Sequence, residues 1–285
     1  MKNKKSNLSL VINIFIGLTV YIFVYFTLYK ITNNNNVIMN LLASVMITII
    51  LLYYLNASYK SYTNAELNEP WIVETTKNCQ KMTVFPGNDI LVSKDSKYGI
   101  EFSYSTWIYI NDWTSTSNYS TSEQHVFHKG SQSGVPDQCP GVWLDPTKNE
   151  IIVKMTTFIS EIPTGCDQAH DTELCYLERF NIPNIPINKW FQLTMCVINR
   201  NLDIYINGFL KKRCILTQLP KQNYGDIYIN AFNGFNGYIS KLRYYNYSLP
   251  VWRIEQIFND GPSDVPCVDT GDMPPYLAKD WWMNN

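Results

Sequence analysis

Two uncharged apolar runs fill most of the first 59 residues and limit what this chain can become. Residues 6–29 contain no charge and are rich in Leu, Ile, Val, Phe and Tyr; residues 31–59 form a second uncharged run with its apolar core at 37–55. At about 1.5 Å per residue such a core reaches about 28 Å, close to a hydrocarbon layer of about 30 Å. Transmembrane helices are therefore predicted at 8–30 and 37–55, behind a basic N-terminus at 1–7. A cleavable signal peptide is the competing reading of the first run, because Lys2, Lys4 and Lys5 resemble a basic n-region. The apolar stretch is too long for one, however, and no small-x-small cleavage site follows. Thr32-Asn33-Asn34-Asn35-Asn36 has poor helix propensity and suits a tight turn at the interface, so the two spans read as a helical hairpin.

Asn40, Ser44 and Thr48 share one face of the second span, as Thr19, Phe23 and Thr27 share one face of the first. A turn centred near Asn34 would pair Thr19 with Thr48 and Thr27 with Asn40 across a seam of small and hydroxyl groups. Interhelical hydrogen bonds there contribute about 0.6–2 kcal/mol each. Tyr53, Tyr54 and Tyr59 suit an interfacial belt. Neither apolar run holds an ionisable acid, base or His, which argues for an anchor rather than an ion pathway.

Lysines gather on the side shared by both termini, so the positive-inside bias places the C-terminal domain in the cytosol, or against the internal membrane of a virion. The sequons at Asn56, Asn118 and Asn246 would accept glycans only in the opposite orientation. Residues 1–59 carry four Lys and no acid, leaving 19 basic against 24 acidic side chains in the remainder. That excess of about five negative charges makes the soluble part a poor partner for phosphate backbones, and no nucleic-acid partner is expected.

After a polar linker at 56–70 the pattern changes to short β-rich runs separated by Gly, Pro, Asn and Asp. Strands are predicted at 101–110, 124–129, 141–144, 150–157, 190–198, 202–206, 209–214, 226–230 and 238–245, with one soluble helix at 250–259 stopped by Asp260-Gly261-Pro262. Many strands and almost no helix imply an all-β antiparallel sandwich over 71–268. A tail at 269–285 carries Trp281 and Trp282, candidates for docking on a partner, with packing back onto the sandwich and dipping into the bilayer headgroups as the competing readings.

The run Phe102–Tyr109, then Val126–Gly130 and Gly141–Asp145, resemble successive strands of the laminin-G-like, concanavalin-A-like jelly roll. Asn188-Lys189-Trp190-Phe191-Gln192-Leu193, followed by Leu202-Asp203-Ile204-Tyr205-Ile206-Asn207-Gly208, is similar to that family's "W-H-x-V … L-x-L-Y-V-D-G" hairpin. Phe235-Asn236-Gly237-Tyr238-Ile239-Ser240-Lys241-Leu242-Arg243-Tyr244-Tyr245 resembles its "F-x-G-x-I-x-x-V-R-I-Y". The motifs occur in family order over about 98–260. On an Asn/Ile-rich anchored chain, the combination resembles membrane proteins of large nucleocytoplasmic DNA viruses. The resemblance implies a lectin-like binding module of a virion or membrane, in contact with the lipid bilayer and with structural, capsid or membrane proteins. A surface lectin recognising host glycans is the alternative.

Glucanases of this fold place two carboxylates about 5 Å apart in an E-x-D-x-x-E strand. No such pattern occurs, nor any nucleophile triad or phosphate loop, so no catalytic residue is assigned. His125 and His128 are expected on opposite faces of a strand. Trp113, Tyr119 and Tyr224 are the candidate ligand-binding aromatics, since ring faces stack on sugars and anchor protein contacts. Cys166 with Cys175, and Cys79 with Cys267, are the disulfide candidates. A zinc site of Cys139, Cys166, His170 and Cys175 and a set of free thiols stand as alternatives. Calcium is the one cofactor the family brings into question; Asp145-Pro146-Thr147-Lys148-Asn149 reads more simply as a turn, so no metal ligand is assigned.

Overall fold

The computed structural model describes residues 21–22, 24–30, 37–93, 95–96, 99–111, 122–135, 137–158, 177–265 and 267. The chain divides into two compact units, Met1–Ala65 and Glu66–Asn285. In the first, residues 21–22 and 24–30 are helical; the rest of the predicted 8–30 span, and with it Thr19, lies outside the described residues. Helix α1, Val37–Asn68, contains an 18-residue window, Leu42–Tyr59, long and apolar enough to cross a membrane. Its burial is inside-out for a water-soluble helix. Ser44 and Thr48 are buried, while Leu42, Met46, Ile49 and Leu55 are exposed. Thr48 Oγ1 donates back to the Ser44 carbonyl at 2.7 Å, which satisfies the hydroxyl within the helix.

The stretch read as a linker is helical as far as Asn68. No Gly or Pro interrupts 56–68, Ala57, Ala65, Glu66 and Leu67 favour helix, and only Pro70, which disfavours α conformation at Glu69, ends it.

The second unit is an antiparallel two-sheet sandwich. One sheet joins β1 (Trp71–Val73), β14 (Gly237–Tyr245), β5 (Gly99–Ile110), β10 (Trp190–Ile198), β11 (Asn201–Ile206) and β12 (Phe209–Ile215) in that order, with β2 (Lys77–Asn78) beside β14 and β4 (Asp95–Ser96) beside β5. The other runs β3 (Thr83–Phe85), β13 (Ile227–Ile229), β6 (Gln124–Gly130), β7 (Gln138–Leu144), β8 (Glu150–Thr156) and β9 (Leu177–Pro183). The nine strands expected from alternation are all present, with ends shifted by up to three residues. Strands β1 to β4 are mostly two or three residues long, too short to show a period. Strand β9 is an edge strand whose Glu178, Arg179 and Asn181 hide its character.

Leu193, Met195 and Val197 of β10 and Leu202 and Ile204 of β11 point between the sheets with Phe102, Phe127, Val142, Ile151, Ile229 and Leu242. Asn207 and Gly208 both adopt positive φ, the two-residue turn that matches strand twist and closes the β11–β12 hairpin. Helix α2, Val251–Asn259, covers the outer face of the first sheet. There Phe258 stacks on Trp107 with ring centroids 5.8 Å apart, and Ile254 packs with Cys196, Tyr205, Tyr245 and Leu249. Strand β5 is consequently buried on both faces from Phe102 to Ile110.

Two β-bulges reset the alternation. In β6 the register jumps from His125↔Trp143 to Phe127↔Val142, so Val126 and Phe127 both enter the core. In β14 it jumps from Ser240↔Trp107 to Arg243↔Ser105, with Lys241 at φ 49°.

Trp107 is fully buried beneath α2. Trp107→Ala is expected to cost about 3–5 kcal/mol. A denaturant midpoint of the full chain in neutral detergent checks this; an unchanged midpoint would contradict the packing of α2 on β5.

Candidate binding site

One end of the sandwich is fastened by a buried lysine. Lys129, at the end of β6, donates to the Asn223 carbonyl at 2.5 Å, to Asn223 Oδ1 at 3.2 Å and to the Gly225 carbonyl at 2.9 Å, so its three protons have three acceptors. Asn223 Nδ2 returns a bond to the Lys129 carbonyl at 3.0 Å. Burial pushes this ammonium down to about 8, against the opposing influence of Cys139 and Asp226, so it stays charged at neutral pH. Asp226 accepts from Gly87 N through Oδ1 and from Gly130 N through its carbonyl, at 2.8 and 3.1 Å. Side chains are excluded at this junction: a methyl on Gly225 would strike the Gly130 carbonyl, and one on Gly87 the Gly225 carbonyl.

The segment 222–226 is thereby pinned, yet Tyr224 at its centre is 79% exposed. Tyr224 borders a cavity of about 30 Å³ that also involves Leu91, Val92, Ile90, Phe102 and Tyr244. That volume admits a water or a methyl-sized group, so the usable surface is the rim. Leu91 and Val92 on that rim are 42% and 44% exposed. The neighbouring amides are committed inward: Gln222 Nε2 donates to Ser93 Oγ, and Asn223 bonds Lys129 through both ends.

A second cluster lies on the outer face of the second sheet, where the β6 bulge overturns the expectation that His125 and His128 point apart. Their rings meet, with His125 Nε2 2.6 Å from His128 Nδ1. The Ala231 N–H donates to His125 Nδ1 at 2.9 Å, and His128 Nε2 lies 2.8 Å from the Ser131 carbonyl, which can only accept. One proton arrangement satisfies all three contacts: both rings are neutral and carry hydrogen on Nε2. Trp143 meets His125 edge-on at 4.5 Å, and Tyr228 and Phe232 stack on His128 at 5.1 and 6.3 Å. Lys154 stands 4.5 Å over the Trp143 ring and pairs with Glu123 at 2.5 Å. Burial, reinforced by His128 and Lys154, pushes His125 down to about 2; burial also lowers His128. The hydrogen-bond chain begins and ends on main-chain groups and presents no nucleophile.

Of the residues singled out from sequence, Trp113, Tyr119, Cys166, His170, Cys175, Trp281 and Trp282 lie outside the described residues. Cys79 and Cys267 are both buried free thiols within electrostatic reach of one another; burial first, then Cys267, raises the Cys79 thiol. Cys139 is buried beside Lys129, its thiol pushed up to about 12 chiefly by burial. Asp145 Oδ1 accepts from Thr147 N, Thr147 Oγ1 and Lys148 N at 2.9–3.0 Å, the self-closing turn expected of it. Burial opposes its charge, but these bonds prevail and hold the carboxyl below its ordinary value. Among the described residues no group of three His, Cys, Asp or Glu is placed to hold a metal ion. Asn246 is buried, with Nδ2 donating to Asn68 Oδ1, so its sequon is closed in the folded domain.

No protein-family model and no curated protein matches the chain. Solved structures similar to part of it include the binding domain of botulinum neurotoxin DC in complex with rat synaptotagmin II, at TM-score 0.43 and 18% identity over 63% of this chain and 39% of that one. Others are the binding domain of Paraclostridial mosquitocidal protein 1, at 0.43 and 15% over 65% and 42%, and that of botulinum neurotoxin serotype G, at 0.41 and 18% over 65% and 46%. The chain spans less than half the length of each.

The histidine pair predicts an acid limit on stability. Each folded-state pKa lies below the ordinary 6.5, so the unfolded chain takes up protons that the folded chain refuses as pH falls. Their contribution is fully present above pH 6.5 and is lost below it, by up to about 1.4 kcal/mol per pH unit for each ring. The urea midpoint in neutral detergent should be level above pH 7 and fall between pH 6.5 and 5; a constant midpoint would contradict the arrangement.

Proposed function

We propose that this chain is a non-enzymatic, membrane-tethered β-sandwich that makes a protein–protein contact through the Tyr224 rim. The observation carrying this reading is an exposed aromatic side chain on a segment that cannot readily move. Holding Tyr224 outward in advance lowers the ordering cost of association, the property wanted in an interface anchor. Its neighbours decide between partners. A glycan site needs free polar groups around the ring, and here the Gln222 and Asn223 amides are spent inward while Leu91 and Val92 add aliphatic surface. A protein partner fits that rim better than a sugar.

The tether is α1, whose exposed apolar faces suit lipid and whose buried Ser44 and Thr48 suit a helix–helix seam. On this reading it pairs with the first apolar run as a hairpin anchor, and the sandwich lies on the cytosolic side of the bilayer. An internal virion membrane would give it structural or capsid proteins to hold. A photo-crosslinking amino acid at position 224 of the full chain, in intact membranes, is expected to yield one discrete protein adduct. The same group at Tyr205, under α2, should yield none. Binding of the wild-type chain to immobilised glycans, abolished by Tyr224→Ala, would overturn the reading in favour of a lectin.

A further inference from the structure

The bulge in β14 has a second product besides continuity of the sheet. Ile239, Leu242 and Tyr244 all face the core, which strict alternation forbids; the extra residue at Lys241 restores the core face and turns Arg243 and Tyr245 outward. A lysine at φ 49° is disfavoured without a reason to be there. Here it brings Lys241 and Arg243 to a groove of about 310 Å³ shared with Arg253 and Ile257 of α2 and with Trp71 and Asp260. Arg243 lies 4.4 Å over the Trp71 ring and donates from Nε to the Glu69 carbonyl at 2.9 Å. The Glu69 carboxylate is already engaged, by Arg243 at 3.1 Å and by the Tyr247 hydroxyl at 2.7 Å. Lys241 gives two protons to the Asp260 and Gly261 carbonyls. Arg253 sends one N–H to Gln256 at 2.7 Å and stands 3.9 Å from Glu69, which leaves much of its donor fork for another acceptor.

We propose that this groove binds a phosphate ester. Three cations face the carboxylates of Glu69 and Asp260, and Asp264 also acts on Lys241, so the charges around the groove balance; what it offers is the N–H donors these contacts leave over, on two guanidinium forks beside an ammonium, which match the several oxygens of a phosphate better than a single carboxylate does. The groove is larger than the phosphate alone, and the Trp71 ring and Ile257 supply an apolar wall for the organic part of the ester. The site is independent of the Tyr224 rim.

Calorimetric titration of the full chain in nonionic detergent tests it with two probes: glycerol 3-phosphate, a free ester, and dihexanoyl phosphatidic acid, a lipid headgroup. At least one should bind saturably and weaken as salt is added. Arg253→Gln should weaken binding about tenfold, as should Lys241→Asn, whose new side chain tolerates the positive φ and keeps the bulge. Binding of both probes alike supports the phosphate ester itself as ligand, and binding of the lipid alone supports a headgroup. Absence of binding by either probe, or equal binding by wild type and a folded Lys241→Asn variant, overturns the proposal.

Discussion

The buried ammonium of Lys129 is the contact on which one end of this sandwich depends. A charge taken out of water must recover its hydration from fixed acceptors, and Lys129 does so with two main-chain carbonyls and one amide oxygen. Those acceptors all belong to 222–226, so satisfying the charge fixes the segment. Gly87, Gly130 and Asp226 then close around it without side-chain clearance, and the ends of β3, β6 and β13 are drawn together. Tyr224 is the residue this arrangement leaves outside. Rigidity of the rim and the inward commitment of its polar groups have one cause.

Chemistry on the outer faces of both sheets comes from broken alternation. A β-strand with strict period two would have separated His125 from His128 and turned Arg243 into the core. One extra residue in β6 instead joins the two imidazoles, and one in β14 sends Arg243 and Tyr245 beneath α2. In both places the core keeps its apolar residues, because Val126 and Phe127, or Leu242 and Tyr244, still face inward.

This division explains what could be read from the residues. Long strands with clean alternation, such as β10 and β11, and the Asn207-Gly208 turn declare themselves locally, as does α2 with Pro250 before it and Gly261 after it. The order of motifs resembling the laminin-G-like domains agrees with a two-sheet sandwich, and Tyr224 was legible as an aromatic outside the strand pattern. The clamp beneath it was not, because Lys129 and Asn223 are 94 residues apart and nothing in either neighbourhood signals the other. The histidine pair is hidden for a different reason: a bulge is a property of the paired ladder, and β6 alone reads as regular. The length of α1 is hard to read because a polar stretch such as 56–68 resembles a linker until the lack of any helix breaker before Pro70 is weighed.

Rigid presentation of Tyr224 by Lys129 is the claim on which the binding reading rests, and amide hydrogen exchange of the full chain in neutral detergent measures it directly. Wild-type amides of Gly87, Gly130 and Gly225 are predicted to exchange slowly, and in Lys129→Met to approach the rate of an open loop while the β7–β8 ladder keeps its protection. Rapid exchange of those three amides in the wild-type chain, or protection unchanged by Lys129→Met, would contradict the account.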